Sequence, residues 1–333
     1  MRLNPVLGRE IKERMRSRRA AIIVVGFLSL LAAILYLVYR TGQFALEQSG
    51  PFNFTGSSSA SLGRLMFEWL MVFLLLFVAF IAPGIAAGGV VGERERRTMH
   101  PLQVTLLTPR NIVLGKLGAS LAFVTLLVVS TAPLFAISLV LGGVTPWQVV
   151  RGLIVVLAVE MMLAASATYI SARAKRTLFA TVASYAISLA LVVGTLLVFG
   201  AEMLWRSYRG ESFERDSVAI YLNPVAALGD AAGDAAGPGN LPNPLSGLAM
   251  FIDQQLYEGD EFVRVDVDEV VRVGPGEQRL DLGPPERAGP PLIRLWMVHV
   301  ALLLGVSALS LYGATRRVRA PVARLPKVRE ASA

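Results

Sequence analysis

Cysteine is absent from the 333 residues, so the chain forms neither a disulfide nor a thiolate metal site, and cysteine usage says nothing about redox compartment. Histidine occurs only at His100 and His299, which excludes an H-E-x-x-H zinc motif, and no metal site is expected. Charge is scarce, 17% of residues against 54% hydrophobic, with a mean hydropathy of +0.57. Those proportions lie outside the range of soluble domains and describe a polytopic membrane protein. The phosphate-binding loop of nucleotide hydrolases is missing as well. Gly115-Lys116 has Arg110 where that loop needs its first glycine, and no serine or threonine follows Lys116. The chain is therefore not expected to be an enzyme or to hold a cofactor itself. Related halves, which many gradient-driven transporters carry, are not evident.

What the chain does have is six apolar runs, each close to or above the ~20 residues that cross a hydrocarbon core. They are about Ala20 to Tyr39, Leu65 to Val91, Ile112 to Leu141, Trp147 to Ile170, Leu178 to Phe199 and Leu292 to Tyr312. The first follows a basic stretch, as a signal peptide does. It is too long for one and no A-x-A-like site follows Tyr39, so it is expected to be retained. The formal net charge is +8 and the pI near 10.1. Placement decides what that means. About 21 of the 32 lysines and arginines fall in residues 1–19, the 92–116 loop, the loop at Arg173 and the tail. Six crossings put those segments on one side, which the positive-inside rule makes cytoplasmic, together with both termini. The basic residues speak for topology in a cell membrane and not for nucleic acid.

The expected fold is all-α and polytopic, with an interfacial helix before the spans and a small extracytoplasmic α+β insertion between the fifth and sixth. Residues 1–19 form the interfacial helix, with Asn4 as cap and Leu7, Ile11 and Met15 in an apolar line; a basic flank that merely fixes orientation is the alternative. Residues 20–199 hold five spans and the loop 92–111. Residues 40–63, including the GSSSAS run, read as a flexible outer loop. Pro83-Gly84 is expected to kink the second span. Gly84, Gly88 and Gly92 recur every four residues and let another backbone approach, either as static packing or as a half-helix that moves. Gly142-Gly143 and Thr145-Pro146 form a tight turn, with Trp147 as an aromatic-belt residue.

Residues 200–291 are outside, with net charge of about −9. Within them 229–247 read as a linker, 248–257 as a helix and 262–282 as a hairpin. Asp266, Asp268 and Glu269 fit a solvated strand face better than a cation site. Residues 292–313 are the sixth span and 314–333 a basic cytosolic tail. Inside the spans, Glu68 is expected to pair with Arg64 one turn earlier, and His299 to serve as a packing hydrogen bonder. Glu160, near the centre of the fourth span, must face a partner helix or a cavity, or be protonated. A translocation pathway and a structural hydrogen bond remain equal alternatives there.

The most informative stretch is the charged loop between the second and third spans. Glu93 and Arg97 are one helical turn apart. Pro101 starts a short helix to Leu107 with Leu102 and Leu106 on one face, and Thr108-Pro109 opens the next span. The sequence Glu93-Arg94-Glu95, Thr98, Leu106-Leu107-Thr108-Pro109, Gly115-Lys116 resembles the cytosolic loop of ABC-2 type permeases, the membrane subunits of many ATP-driven exporters. Arg97 stands where that family carries a glycine, and the distance from Thr98 to Thr108 is a few residues long. Tyr221-Leu222-Asn223-Pro224 resembles the "NP" stretch many of these permeases carry after the fifth span. The resemblance covers about residues 1–228 and 292–316. It implies that the loop is a coupling helix resting on a cytosolic ATPase subunit, where ATP and Mg²⁺ would bind. It also implies a second permease copy or homologue, with the pathway between the two. A gradient-driven secondary transporter and a membrane scaffold or sensor with a ligand-binding outer cap are the rivals.

Overall fold

The computed structural model describes residues 18–48, 58–96, 109–209, 218–232, 244–245 and 294–318. Among these residues the structure is helical and contains no strand. Six helical segments are long and apolar enough to cross a membrane, as in a multi-pass membrane protein. The interfacial helix before Arg18, the short 101–107 helix, the 248–257 helix, the 262–282 hairpin and the tail beyond 318 lie outside the described residues.

Helix α1, Arg18–Gln48, buries Phe27, Leu31 and Leu35 on one line. Phe27 meets Phe77 of the next helix with ring centroids 4.3 Å apart. Its other apolar residues, such as Ile22, Val25 and Leu37, are exposed, the pattern of a helix that touches protein along one stripe and lipid elsewhere. Helix α2, Ser58–Glu95, starts well before the second apolar run. The loop expected over 40–63 is thus helical at 40–48 and 58–63, its described residues, and Ser58 to Ser61 of the serine-rich run form the first turn of α2. The reason is packing beyond the apolar stretch. A Cβ on Gly63 would lie 2.3 Å from the Gly142 carbonyl oxygen, and one on Gly42 would lie 2.7 Å from Leu62 Cδ2. These approaches hold both helix ends against neighbours.

Helix α2 continues through Pro83. Proline has no N–H to give the carbonyl four residues earlier, which is that of Ala79. Ser188 Oγ of the fifth span donates to that oxygen at 2.5 Å, so this carbonyl keeps a partner in the apolar interior. The third span is divided into α3, Pro109–Ser130, and α4, Ala132–Leu141. Pro133 causes the break, and the Thr131 amide and hydroxyl both bond the Val128 carbonyl, at 3.1 and 2.6 Å. Gly142 and Gly143 then turn the chain at φ +89° and +77°, values that glycine adopts without strain.

Helix α5, Pro146–Arg173, opens with a capping box between Thr145 and Gln148. It is the most enclosed span, and α1 the least. Ala164, Ala165 and Ala167 beside Val155, Val159 and Leu163 give α5 the small-residue surface that membrane helices pack through. The fifth span comprises α6, Thr177–Leu189, a π-helical turn at Ala190–Gly194, and α7, Thr195–Arg209. Two short helices follow, α8, Val218–Leu222, and α9, Pro224–Ala232. The expected linker therefore begins as helix over 229–232, because α9 is buried along nearly its whole length. Helix α10, Leu295–Val318, completes the bundle.

The ends of these helices segregate. Gly63 with Gly142, Gln148 with Ala232 and Asp230 with Trp296 meet at one end. Glu93 with Lys116, Glu95 with Thr177 and Tyr169 with Gly313 meet at the other. Alternating passage through six spans requires that pairing.

Candidate functional site

Three consecutive charged residues close α2, and each grips a different element. Glu93 Oε1 accepts from Lys116 Nζ at 3.0 Å, with Lys116 on α3 almost fully buried. This ties together the two strands of chain that flank the 92–111 loop. Arg94 Nη1 donates to the Ala174 carbonyl at 3.4 Å, reaching the link between the fourth and fifth spans. Glu95 accepts from the Thr177 amide at 2.8 Å and from the Thr177 hydroxyl at 2.5 Å. The start of α6 has Arg176 at the cap position and no side-chain cap of its own. Glu95 supplies from another helix the carboxylate that free N–H groups and the helix dipole favour there.

One turn back, Ser171 Oγ of α5 accepts from the Val90 and Val91 amides at 3.1 and 3.0 Å. The last two turns of α2 are thus fastened to α3, α5 and α6 together. Pro109 opens α3, where the missing N–H costs nothing. Arg97, Thr98, Leu102, Leu106, Leu107 and Thr108 lie outside the described residues, as does any Glu93–Arg97 pairing.

The glycine row is not uniform. A Cβ on Gly84 would stand 2.6 Å from Tyr185 Oη of the fifth span, whereas one on Gly88 would make ordinary contact with Thr177 Cγ2 at 4.0 Å. Gly92 has no neighbour within 4 Å of that position among the described residues. Close approach in the row belongs to the Pro83-Gly84 level.

Glu160 is 1% exposed. Thr125 Oγ1 of α3 lies 3.2 and 3.3 Å from its two carboxyl oxygens, so the third and fourth spans are joined at mid-bundle by one hydroxyl. That contact is a hydrogen bond between the two spans. At the opposite end Glu68 does pair with Arg64, at 3.0 Å. The pair is buried, and Glu68 also accepts from the Leu245 amide at 2.9 Å. His299 is buried, with Nδ1 2.9 Å from the Tyr221 carbonyl oxygen. Among the described residues no three histidine, aspartate or glutamate side chains gather as metal ligands.

Sequence reasoning missed Thr177, Ser171 and Lys116 as partners of the second span. One local signal was available. The fifth span begins Arg176-Thr177, without aspartate, asparagine or serine at its cap, and an uncapped helix start needs an acceptor from elsewhere. No protein-family model matches the chain, and no curated protein does.

Proposed function

We propose that the chain is the transmembrane subunit of an ATP-driven transporter of the ABC-2 permease type, an exporter, worked through residues 92–111 by a separate ATPase. The observation that carries this reading is the three-way grip of Glu93, Arg94 and Glu95 on α3, the Ala174 link and α6. A push on the loop is shared by three spans at once and does not bend one helix end alone. The loop resemblance, the lack of a P-loop motif in the sequence and the basic flanks support the same reading. In it the termini and the 92–111 loop are cytoplasmic, ATP and Mg²⁺ belong to the partner ATPase, and a second permease copy or homologue completes the pathway. The exposed apolar faces meet the bilayer of the cell membrane, and nucleic acid has no part. The three-way grip has no evident purpose in a scaffold or sensor.

Co-purification of the intact chain with a P-loop ATPase tests this. Leu106→Asp, in the middle of the proposed contact, is expected to weaken the complex at least about 30-fold, the effect of losing an interface hot spot. Glu93→Ala should weaken it less. Undiminished binding in both variants would put the contact elsewhere.

A further inference from the structure

Five side-chain contacts form a continuous line along the fifth span. At the Glu95 end, Glu95 holds both the amide and the hydroxyl of Thr177. Midway, Ser188 Oγ donates to the Ala79 carbonyl that Pro83 leaves open. One residue later the α-helix gives way to the π-helical turn Ala190–Gly194. Against that turn lies Asn223, 1% exposed. Its Nδ2 donates to the Val192 carbonyl at 3.3 Å and to Thr195 Oγ1 at 2.7 Å. Its Oδ1 accepts from the Val225 and Ala226 amides at 2.8 and 2.9 Å, capping α9. The same amide group therefore fastens the wide turn and starts the buried helix. Helix α9 is in turn tied to the fourth span by Gln148 Nε2 on the Ala232 carbonyl, 2.7 Å, and to the sixth by Asp230 Oδ2, which accepts from the Trp296 amide at 2.8 Å.

We propose that the fifth span is a connecting rod, with its π turn as the joint and Asn223 as the pin, which makes the seating of α9 depend on the Glu95–Thr177 contact at the far end of the bundle. A π turn is an α-helix carrying one extra residue. Its reversion would turn one half of the span by about 100° against the other. Two discrete arrangements are thus available, as transmission over this distance requires. The surroundings of Asn223 distinguish them, because the Val192 carbonyl that it holds belongs to the wide turn. Pro83 and Ser188 make the second span and the rod share a pivot. The proposal uses no property of an ATPase partner, so its failure and that of the permease reading are separately visible.

The chain has no cysteine of its own, which makes a single introduced thiol a clean reporter. Ala232→Cys, at a buried position on α9, is labelled with a maleimide in the full-length protein in membranes. Asn223→Ala should speed labelling about five- to thirty-fold, the factor expected when a buried cap is lost. Glu95→Ala should speed it several-fold, and adding Glu95→Ala to Asn223→Ala should speed it no further, since both act through one joint. A labelling rate unmoved by Glu95→Ala, or multiplying effects in the double variant, would overturn the proposal. Ala167→Cys, buried on the fourth span, controls for general loosening. If it reacts too, Thr177→Val, which removes only the hydroxyl bond, is read against the same two outcomes.

Discussion

Gly63→Ala is expected to disrupt the bundle, while Gly92→Ala in the same helix leaves it intact or firmer. The two sites carry the same residue and opposite surroundings. A Cβ at Gly63 would sit 2.3 Å from the Gly142 carbonyl oxygen and 2.8 Å from that of Ser138. Both are backbone atoms, and Gly142 is held in a turn with positive φ. Neither can move aside as a flexible side-chain end would. Overpacking of that kind costs about 1–3 kcal/mol and occasionally more, and the absence of a yielding neighbour puts Gly63→Ala at the top of that range. Gly92 has nothing within 4 Å of the same position among the described residues, so alanine there should add about 0.5–1 kcal/mol through helix propensity. Thermal unfolding of the purified protein in detergent measures both. A Gly63→Ala variant as stable as the parent would mean that α2 and α4 are not seated against each other in this way.

A second large loss is expected from Glu68→Leu. The Arg64–Glu68 pair is buried, and the same carboxylate accepts from the Leu245 amide. Leucine fills the volume of Glu68 but removes the counter-charge and the acceptor. Removal of one partner of a buried ion pair costs about 3–5 kcal/mol. The double variant Arg64→Leu, Glu68→Leu should recover much of that loss, because two apolar side chains need no counter-charge. The same unfolding measurement decides it. Single and double variants of equal stability would show that the pair is surrounded by water and not by protein.

The spans were legible in the sequence because the apolar runs are long, but their limits were not. Residues 40–48 and 58–63 are polar enough to read as loop, yet they continue helices whose ends pack on Gly63, Gly42 and Gly142. Hydropathy reports the lipid-crossing part of a helix, and tertiary contact decides where the helix stops. The turn at Gly142-Gly143 was legible because it is local chemistry, and only the fold shows Thr145 and Gln148 forming a capping box there. The partners of Glu95, Glu93 and the Ala79 carbonyl were not legible, since each pairing joins separate helices, 23 to 109 residues apart, that no sequence spacing relates. Asn223-Pro224 stood out as a pair, and only the fold shows the asparagine bonding the π turn as well as capping α9.

The central claim is that the α2 terminus at Glu93 to Glu95 meets the cytosol. The most direct measurement places a cysteine at Arg96, the exposed residue that follows this terminus, in the otherwise cysteine-free chain and labels it with a membrane-impermeant maleimide. The account predicts reaction in inverted vesicles and none in intact cells. Reaction in intact cells would turn the bundle over, and with it the route by which an ATPase could drive the chain.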